Sequence, residues 1–269
     1  MDFEQILILA LIQGITEFLP ISSSAHLALP ALLSDSWSYQ GLGFDVAAHL
    51  GTLTALLVYY RKDLGSISIS GIRLLRTCQV DENIDLVMKI CLATLPILVA
   101  GFFFQDFVEH ELRSVTVIAF TTIFFGAILW WADHRRGRSE SISWTQSFII
   151  GLGQMLALIP GTSRSGITIT VALFLGMSRF LATRFSFLLA IPTILGATVV
   201  TLVEVNPNGN PYFWHTLLTS ATVSGLSAFI CIHFFVKLIE TTGMAPYAIY
   251  RIVLGLALLL FSAFSNTLV

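Results

Sequence analysis

Glu17 is the first residue of this chain whose type and place could do chemistry, because a carboxylate inside an apolar run is costly and functional by default. Gln13 stands four residues before it, so on a helix the two side chains share a face. Pro20 is expected to stop that helix. Ser22, Ser23 and Ser24 then cap the next one and leave free backbone N–H groups where an anion could be held. Ser23 and His26, three residues apart, are predicted to point the same way on this second helix. A second polar break, Pro160-Gly161-Thr162-Ser163-Arg164-Ser165-Gly166 followed by Thr168 and Thr170, sets a cation among hydroxyls at another helix start. Arginine does not deprotonate, and its planar fork matches phosphate oxygens two at a time. Plainer readings exist: a serine triplet as a cap, a histidine as a satisfied polar group, an arginine snorkelling to an interface. Arg164 runs on into apolar sequence instead of lying at a membrane edge, which favours phosphate binding.

These residues sit in a chain that reads as membrane throughout. Hydrophobic residues make up 55% of the 269, charged residues 11%, and the mean hydropathy is +0.84. A net charge of -2 argues against nucleic acid as a partner. Met1-Asp2-Phe3-Glu4 lacks the basic region of a cleaved signal peptide, so the first apolar run is expected to stay. Cys78, Cys91 and Cys231 stand singly, without metal-ligand or redox spacing, and read as packing residues.

The elements that must position the two breaks repeat in order. After the first break, apolar spans are predicted at Phe44 to Tyr60, Leu86 to Phe104 and Val115 to Ala132. A polar loop is expected after Tyr60, from Arg61-Lys62 through Arg73, Arg76, Asp81, Glu82 and Asp85, a turn is expected at Asp106 to Arg113, and the half closes on Asp133-His134-Arg135-Arg136-Gly137-Arg138. After the second break, between Phe148 to Ile159 and Ile167 to Met177, spans follow at Phe180 to Val203, Phe213 to Val236 and Tyr247 to Phe264. Leu19-Pro20 with Ser22-Ser23 faces Ile159-Pro160 with Thr162-Ser163, and Phe125-Gly126-Ala127 faces Leu254-Gly255-Leu256. The expected fold is therefore an all-α polytopic membrane protein, one membrane domain over 1–269. It has about six transmembrane helices and two broken re-entrant pairs, in pseudo-repeats 1–138 and 139–269 of opposite orientation. Breaks in matching positions of inverted halves point to a site near the midplane, where the two breaks should meet. The basic loops after Tyr60 and Ala132 place those ends in the cytoplasm. The Asp106 to Arg113 and Glu204 to Pro211 turns, both termini and the mouth of the first break then lie outside.

Three stretches, Q-G-I-T-E-F-L-P-I-S-S-S-A-H, F-D-V-A-A-H-L-G-T and P-G-T-S-R-S-G-I-T-I-T, resemble the bacterial undecaprenyl pyrophosphate phosphatases, the BacA or UppP family, and the likeness extends over the whole chain. The resemblance implies a multi-pass enzyme of the bacterial inner membrane that removes the terminal phosphate of undecaprenyl pyrophosphate. It recycles the lipid carrier of cell-wall synthesis and is associated with bacitracin resistance. Carried over by position, the family's metal-associated pair falls on Gln13 and Glu17, its serine on Ser23, its histidine on His26 and its arginine on Arg164. Ser22, Ser24, Thr162, Ser163, Ser165, Gly166 and Thr168 take the phosphate-binding positions. Many members have Glu where this chain has Gln13, and Thr-Gly where it has Ser24-Ala25. The implied cofactor is a divalent cation, Mg²⁺ with Ca²⁺ as the alternative, held by Glu17, Gln13 and the substrate's own pyrophosphate.

The expected mechanism is in-line attack on the terminal phosphorus by Ser23, with His26 as base and then acid, and Glu17 orienting His26 or holding the metal. His26 as nucleophile, or water activated directly, are the alternatives. Among the other histidines, His49, one turn from Asp45, is expected to line the cavity. His110, His134 and His215 read as loop residues and His233 as a packed one. A transporter of a phosphorylated polyprenyl lipid or other anion is the competing class, since inverted broken helices suit it equally. Gly255-Leu256-Ala257 permits close helix packing and so a homodimer.

Overall fold

The computed structural model describes residues 2–33, 37, 41–204 and 213–265, without the side chains of 31–33, 105, 106, 109, 204, 213 and 265. Eleven α-helices follow one another among these residues. In chain order they are α1 (Phe3–Thr16), α2 (Ser23–Leu33), α3 (Leu42–Tyr59), α4 (Arg61–Thr77), α5 (Glu82–Glu111) and α6 (Val115–Arg135), then α7 (Trp144–Gln154), α8 (Arg164–Phe174), α9 (Arg179–Glu204), α10 (Phe213–Thr242) and α11 (Ala245–Ser265). A 3₁₀ turn, Met155–Leu158, extends α7.

Six helices, α3, α5, α6, α9, α10 and α11, are long and apolar enough to cross a bilayer. Their outward faces carry apolar side chains such as Phe102 and Val203, both more than four-fifths exposed, as a lipid-facing surface requires. The protein is a multi-pass membrane protein built of helices alone among the described residues. The pairs α1–α2 and α7–α8 are too short to span, and each is broken at its polar stretch.

Two predicted turns are helical instead. Arg61 to Thr77 forms α4, whose polar residues had read as loop; Ser70 on its buried side accepts from Asn83 Nδ2 at 3.0 Å, tying α4 to α5. α5 runs on to Glu111 through the expected Asp106 to Arg113 turn, leaving only Leu112 to Ser114 as the link to α6. Its start is fixed by Asp81, whose carboxylate accepts from Asn83 and Ile84 N–H, both at 3.1 Å. The Glu204 to Pro211 turn lies almost wholly outside the described residues.

α6 and α11 lie against each other where glycine lets the backbones close. A Cβ on Gly126 would stand 3.4 Å from the Ala248 carbonyl oxygen, and one on Gly255 2.8 Å from that of Ala119. Gly255 is thus used within the chain, while Leu256 and Ala257 of the same stripe are exposed. The same correspondence appears around this pair. α1 packs on α10, with a Cβ at Gly14 only 2.4 Å from Ser224 O, and α7 packs on α5, with one at Gly151 2.5 Å from Ala93 O. At the end of the bundle bearing Arg135 and Arg136, Arg179 binds Asp133 bidentately at 2.6 and 2.7 Å, and Asp133 accepts from Met244 N–H at 3.1 Å. Arg184 and Asp63 form a further ion pair between α9 and α4.

Candidate active site

The first break follows from its sequence: Glu17 N–H still closes onto Gln13 O at 3.0 Å, then Pro20 ends the helical pattern and the chain turns through Ser22. Ser22 has φ 73°, and in the second break Ser163 has φ 69°, a left-handed conformation that costs a non-glycine residue about 1 kcal/mol or more. Each strained serine immediately precedes the second helix of its pair and faces the serine two residues on, Ser22 with Ser24 at 3.1 Å and Ser163 with Ser165 at 3.3 Å. Gln13 and Gln154, both fully buried, stand equally far before them. Ser22 therefore matches Ser163, one residue away from the register in which Pro20 was set against Pro160.

The two breaks meet. Ser165 Oγ donates to Leu19 O at 2.9 Å, and the Thr121 hydroxyl reaches Pro160 O at 2.6 Å. Arg251, fully buried on α11, donates to Gly161 O at 2.9 Å, Thr162 O at 2.8 Å, Pro20 O at 3.4 Å and Thr122 O at 3.2 Å. One guanidinium thus satisfies carbonyls that both irregular segments leave without helical partners.

Glu17 is the hub. Its Oε2 accepts from Gln13 Nε2 and from Ser23 Oγ, each at 2.9 Å, and its Oε1 accepts from Arg164 Nη2 at 3.0 Å. Carboxylate, hydroxyl and guanidinium, drawn from both breaks, are in direct contact, so an arginine fork and a serine oxygen are presented together. Three buried polar atoms of the two broken pairs have no protein partner: Gln13 Oε1, Arg164 Nη1 and Thr162 Oγ1. A free guanidinium N–H and a hydroxyl are what an incoming phosphoryl group would use.

His26 lies differently from its expected place beside Ser23. Its Nδ1 is 2.7 Å from Ser22 O and its Nε2 2.6 Å from the Tyr250 hydroxyl, with the two rings stacked. The Ser23 hydroxyl turns instead to Glu17. His49 meets its expectation. Its Nδ1 donates to Asp45 O at 2.7 Å, its Nε2 lies 4.0 Å from Glu17 Oε2, and it lines the cavity. Of the phosphate-binding candidates, Ser24 lines the cavity and Thr162 Oγ1 is left without a partner, whereas Ser163 and Thr168 hold the second break: Ser163 Oγ accepts from Gly166 N–H at 3.1 Å, and Thr168 bonds Ser186 at 2.6 Å. His134 and His215 lie within α6 and α10, His110 lies near the end of α5, and His233 is exposed on α10.

The cavity, of about 580 Å³, is lined by polar Gln13, Ser23, Ser24 and His49 and by apolar Leu27, Val46, Ile118 and Leu158. Arg113, in the α5–α6 link, also lines it, so the cavity reaches the end of the bundle opposite Arg135. It combines polar groups with apolar lining, as an amphiphile with an anionic head would need. Among the described residues no three or more His, Cys, Asp or Glu side chains are grouped so as to hold a metal ion. Glu17 and the unpartnered Gln13 Oε1 are hard oxygen donors that suit a divalent cation sharing the oxygens of a bound ligand.

Tyr250 and Arg251 were missed as site residues, since they fall inside a predicted span. Arg251 had a legible signal, because the cost of an idle cation in the membrane singles it out as it does Arg164. Residues 6–257 match the family described as bacitracin resistance protein BacA. The chain is also 48% identical over 266 residues to an undecaprenyl-diphosphatase of Alcanivorax borkumensis, an alignment covering 98% of this chain and 100% of that protein.

Proposed function

The chain belongs to the BacA family, and from that premise we propose that it is an undecaprenyl-diphosphatase, hydrolysing undecaprenyl pyrophosphate to undecaprenyl phosphate and inorganic phosphate. The observation that carries this reading is the Ser23–Glu17–Arg164 cluster assembled from two breaks beside a cavity of mixed polar and apolar lining. A carrier of anionic lipids needs charge complementarity but no nucleophile.

In the mechanism, Arg164 Nη1 and Thr162 Oγ1 bind oxygens of the terminal phosphate, and Ser23 Oγ attacks its phosphorus. Ser23's proton passes to Glu17 Oε2, the acceptor that it already addresses at 2.9 Å. The P–O bond to the lipid phosphate breaks, and undecaprenyl phosphate leaves. Water then attacks the phosphoserine, giving its proton to His26 Nε2 in place of the Tyr250 hydrogen bond, while Glu17 returns the first proton to Ser23 and His26 passes its own to the departing phosphate. Glu17 and Gln13 would hold a divalent cation, Mg²⁺ or Ca²⁺, together with the pyrophosphate, and the ion supplies neutralisation of the leaving phosphate's charge.

The polarity of the bundle supports a bacterial inner-membrane location with the site opening outward. Arg61, Lys62, Arg135 and Arg136 gather at one end, which the positive-inside rule assigns to the cytoplasm, and the cavity extends toward the other. The strained serines, the paired glutamines and the matched packing of α1 on α10 and α7 on α5 support two inverted halves, 1–138 and 139–269, of a single membrane domain. Recycling of the carrier for cell-wall synthesis follows from the reaction.

Phosphate release from a long-chain polyprenyl pyrophosphate by the detergent-purified protein tests the proposal, beside Arg164→Ala. Release by the wild type that the variant lacks is expected. No release from folded wild-type protein would overturn the phosphatase and turn attention to lipid translocation in liposomes.

A further inference from the structure

His26 has both ring nitrogens engaged, and the two partners together decide where its proton sits. The Ser22 carbonyl can only accept, so the 2.7 Å contact requires a proton on Nδ1. In the neutral ring Nε2 is then a bare acceptor, and the Tyr250 hydroxyl, 2.6 Å away, donates to it. The rings lie 6° from parallel with centroids 5.5 Å apart, so the tyrosine also limits rotation of the imidazole.

Both partners are themselves held. Ser22 is one of the three non-glycine residues with positive φ among the described residues, and that backbone turn aims its carbonyl at the ring. Tyr250 stands on α11 next to Arg251, whose bonds to Pro20, Gly161, Thr162 and Thr122 carbonyls fix this point of the helix against both breaks. Gly126 admits the arrangement, since a Cβ there would lie 2.9 Å from Arg251 Cβ.

We propose that Tyr250 is a positioning residue for His26: the Ser22 carbonyl sets the Nδ1-protonated tautomer, and the Tyr250 hydroxyl holds the ring so that Nε2, released by that hydroxyl when substrate enters, takes the proton of the attacking water. The proposal rests on the phosphatase reading for the role of His26, but the tautomer that it assigns does not. Tyr250 touches the imidazole through its hydroxyl and ring, so Tyr250→Phe removes the hydrogen bond and keeps the stack.

The experiment pairs steady-state phosphate release with nitrogen NMR of histidine-labelled protein, the His26 signals being assigned by their absence in His26→Gln. Tyr250→Phe is expected to lower kcat about tenfold with KM within about twofold of wild type, the size of effect that loss of one well-placed hydrogen bond gives. The His26 Nε2 resonance is expected to move, whether or not the preparation turns over substrate. A kcat within about twofold of wild type would overturn the proposal. So would a lowered kcat with an unmoved His26 resonance, since Tyr250 would then act through something other than the imidazole. Thermal unfolding of the variant at the wild-type temperature excludes misfolding, and Tyr250→Trp, which keeps an aromatic ring but moves the donor, is expected to shift the same resonance.

Discussion

Breaking the Glu17–Arg164 pair from each side, and then from both sides at once, separates what it does for folding from what it does for chemistry. The two groups meet at 3.0 Å with side chains 7% and 11% exposed, so neither charge is well solvated. Removing one partner of a buried pair costs roughly 3–5 kcal/mol, because the other charge is left without compensation. Arg164→Met leaves Glu17 two neutral donors, Gln13 Nε2 and Ser23 Oγ, and belongs at the lower end of that range. Glu17→Gln belongs nearer the upper end, because Arg164 Nη1 already lacks a partner and Nη2 would keep only an uncharged acceptor. In a chain of this length each kcal/mol moves the midpoint by roughly 2–4 °C, so the single variants are expected to unfold about 6–20 °C early. The double variant Glu17→Gln/Arg164→Met carries neither charge and is expected to recover to within about 3 °C of wild type. Thermal unfolding in detergent, followed by tryptophan fluorescence, reads these midpoints, and phosphate release is expected to be absent from all three proteins. A double variant whose loss equals the sum of the two single losses would refute the coupling and with it the view of the pair as the hub of the site.

Gly161→Ala places a Cβ 2.2 Å from Thr121 Oγ1 and 2.6 Å from Ile118 O at φ 88°, and is expected to lower the midpoint by at least about 5 °C and abolish release. Gly65→Ala, where nothing lies within 4 Å of the added carbon on α4, is expected to leave activity unchanged and to raise stability by about 0.5–1 kcal/mol. Chelation is expected to stop phosphate release, and Gln13→Glu, which adds a second carboxylate beside Glu17, to lower the Mg²⁺ concentration giving half-maximal rate. An unchanged Mg²⁺ dependence would place the cation away from Gln13.

The hydrophobic runs and intramembrane charges were sufficient to read the six spans, the two breaks and their meeting, because a bilayer leaves few ways to satisfy Glu17, Arg164 and an unwound backbone. Helix α4 was not legible, since an amphipathic surface helix with Arg61, Lys62, Arg73 and Arg76 differs little in composition from a loop. The orientation of His26 was hidden for a related reason. Helical spacing put it on the side of Ser23, but its direction is set by Ser22 O and by Tyr250, more than two hundred residues away. Local spacing carries no information about such a partner.

Hydrolysis of undecaprenyl pyrophosphate in ¹⁸O-labelled water, with and without chelator, tests the central claim most directly. Attack on the terminal phosphorus predicts one labelled oxygen in the released inorganic phosphate, none in undecaprenyl phosphate, and no reaction with chelator present. Label in the lipid phosphate, or no hydrolysis by folded wild-type protein, would contradict the account.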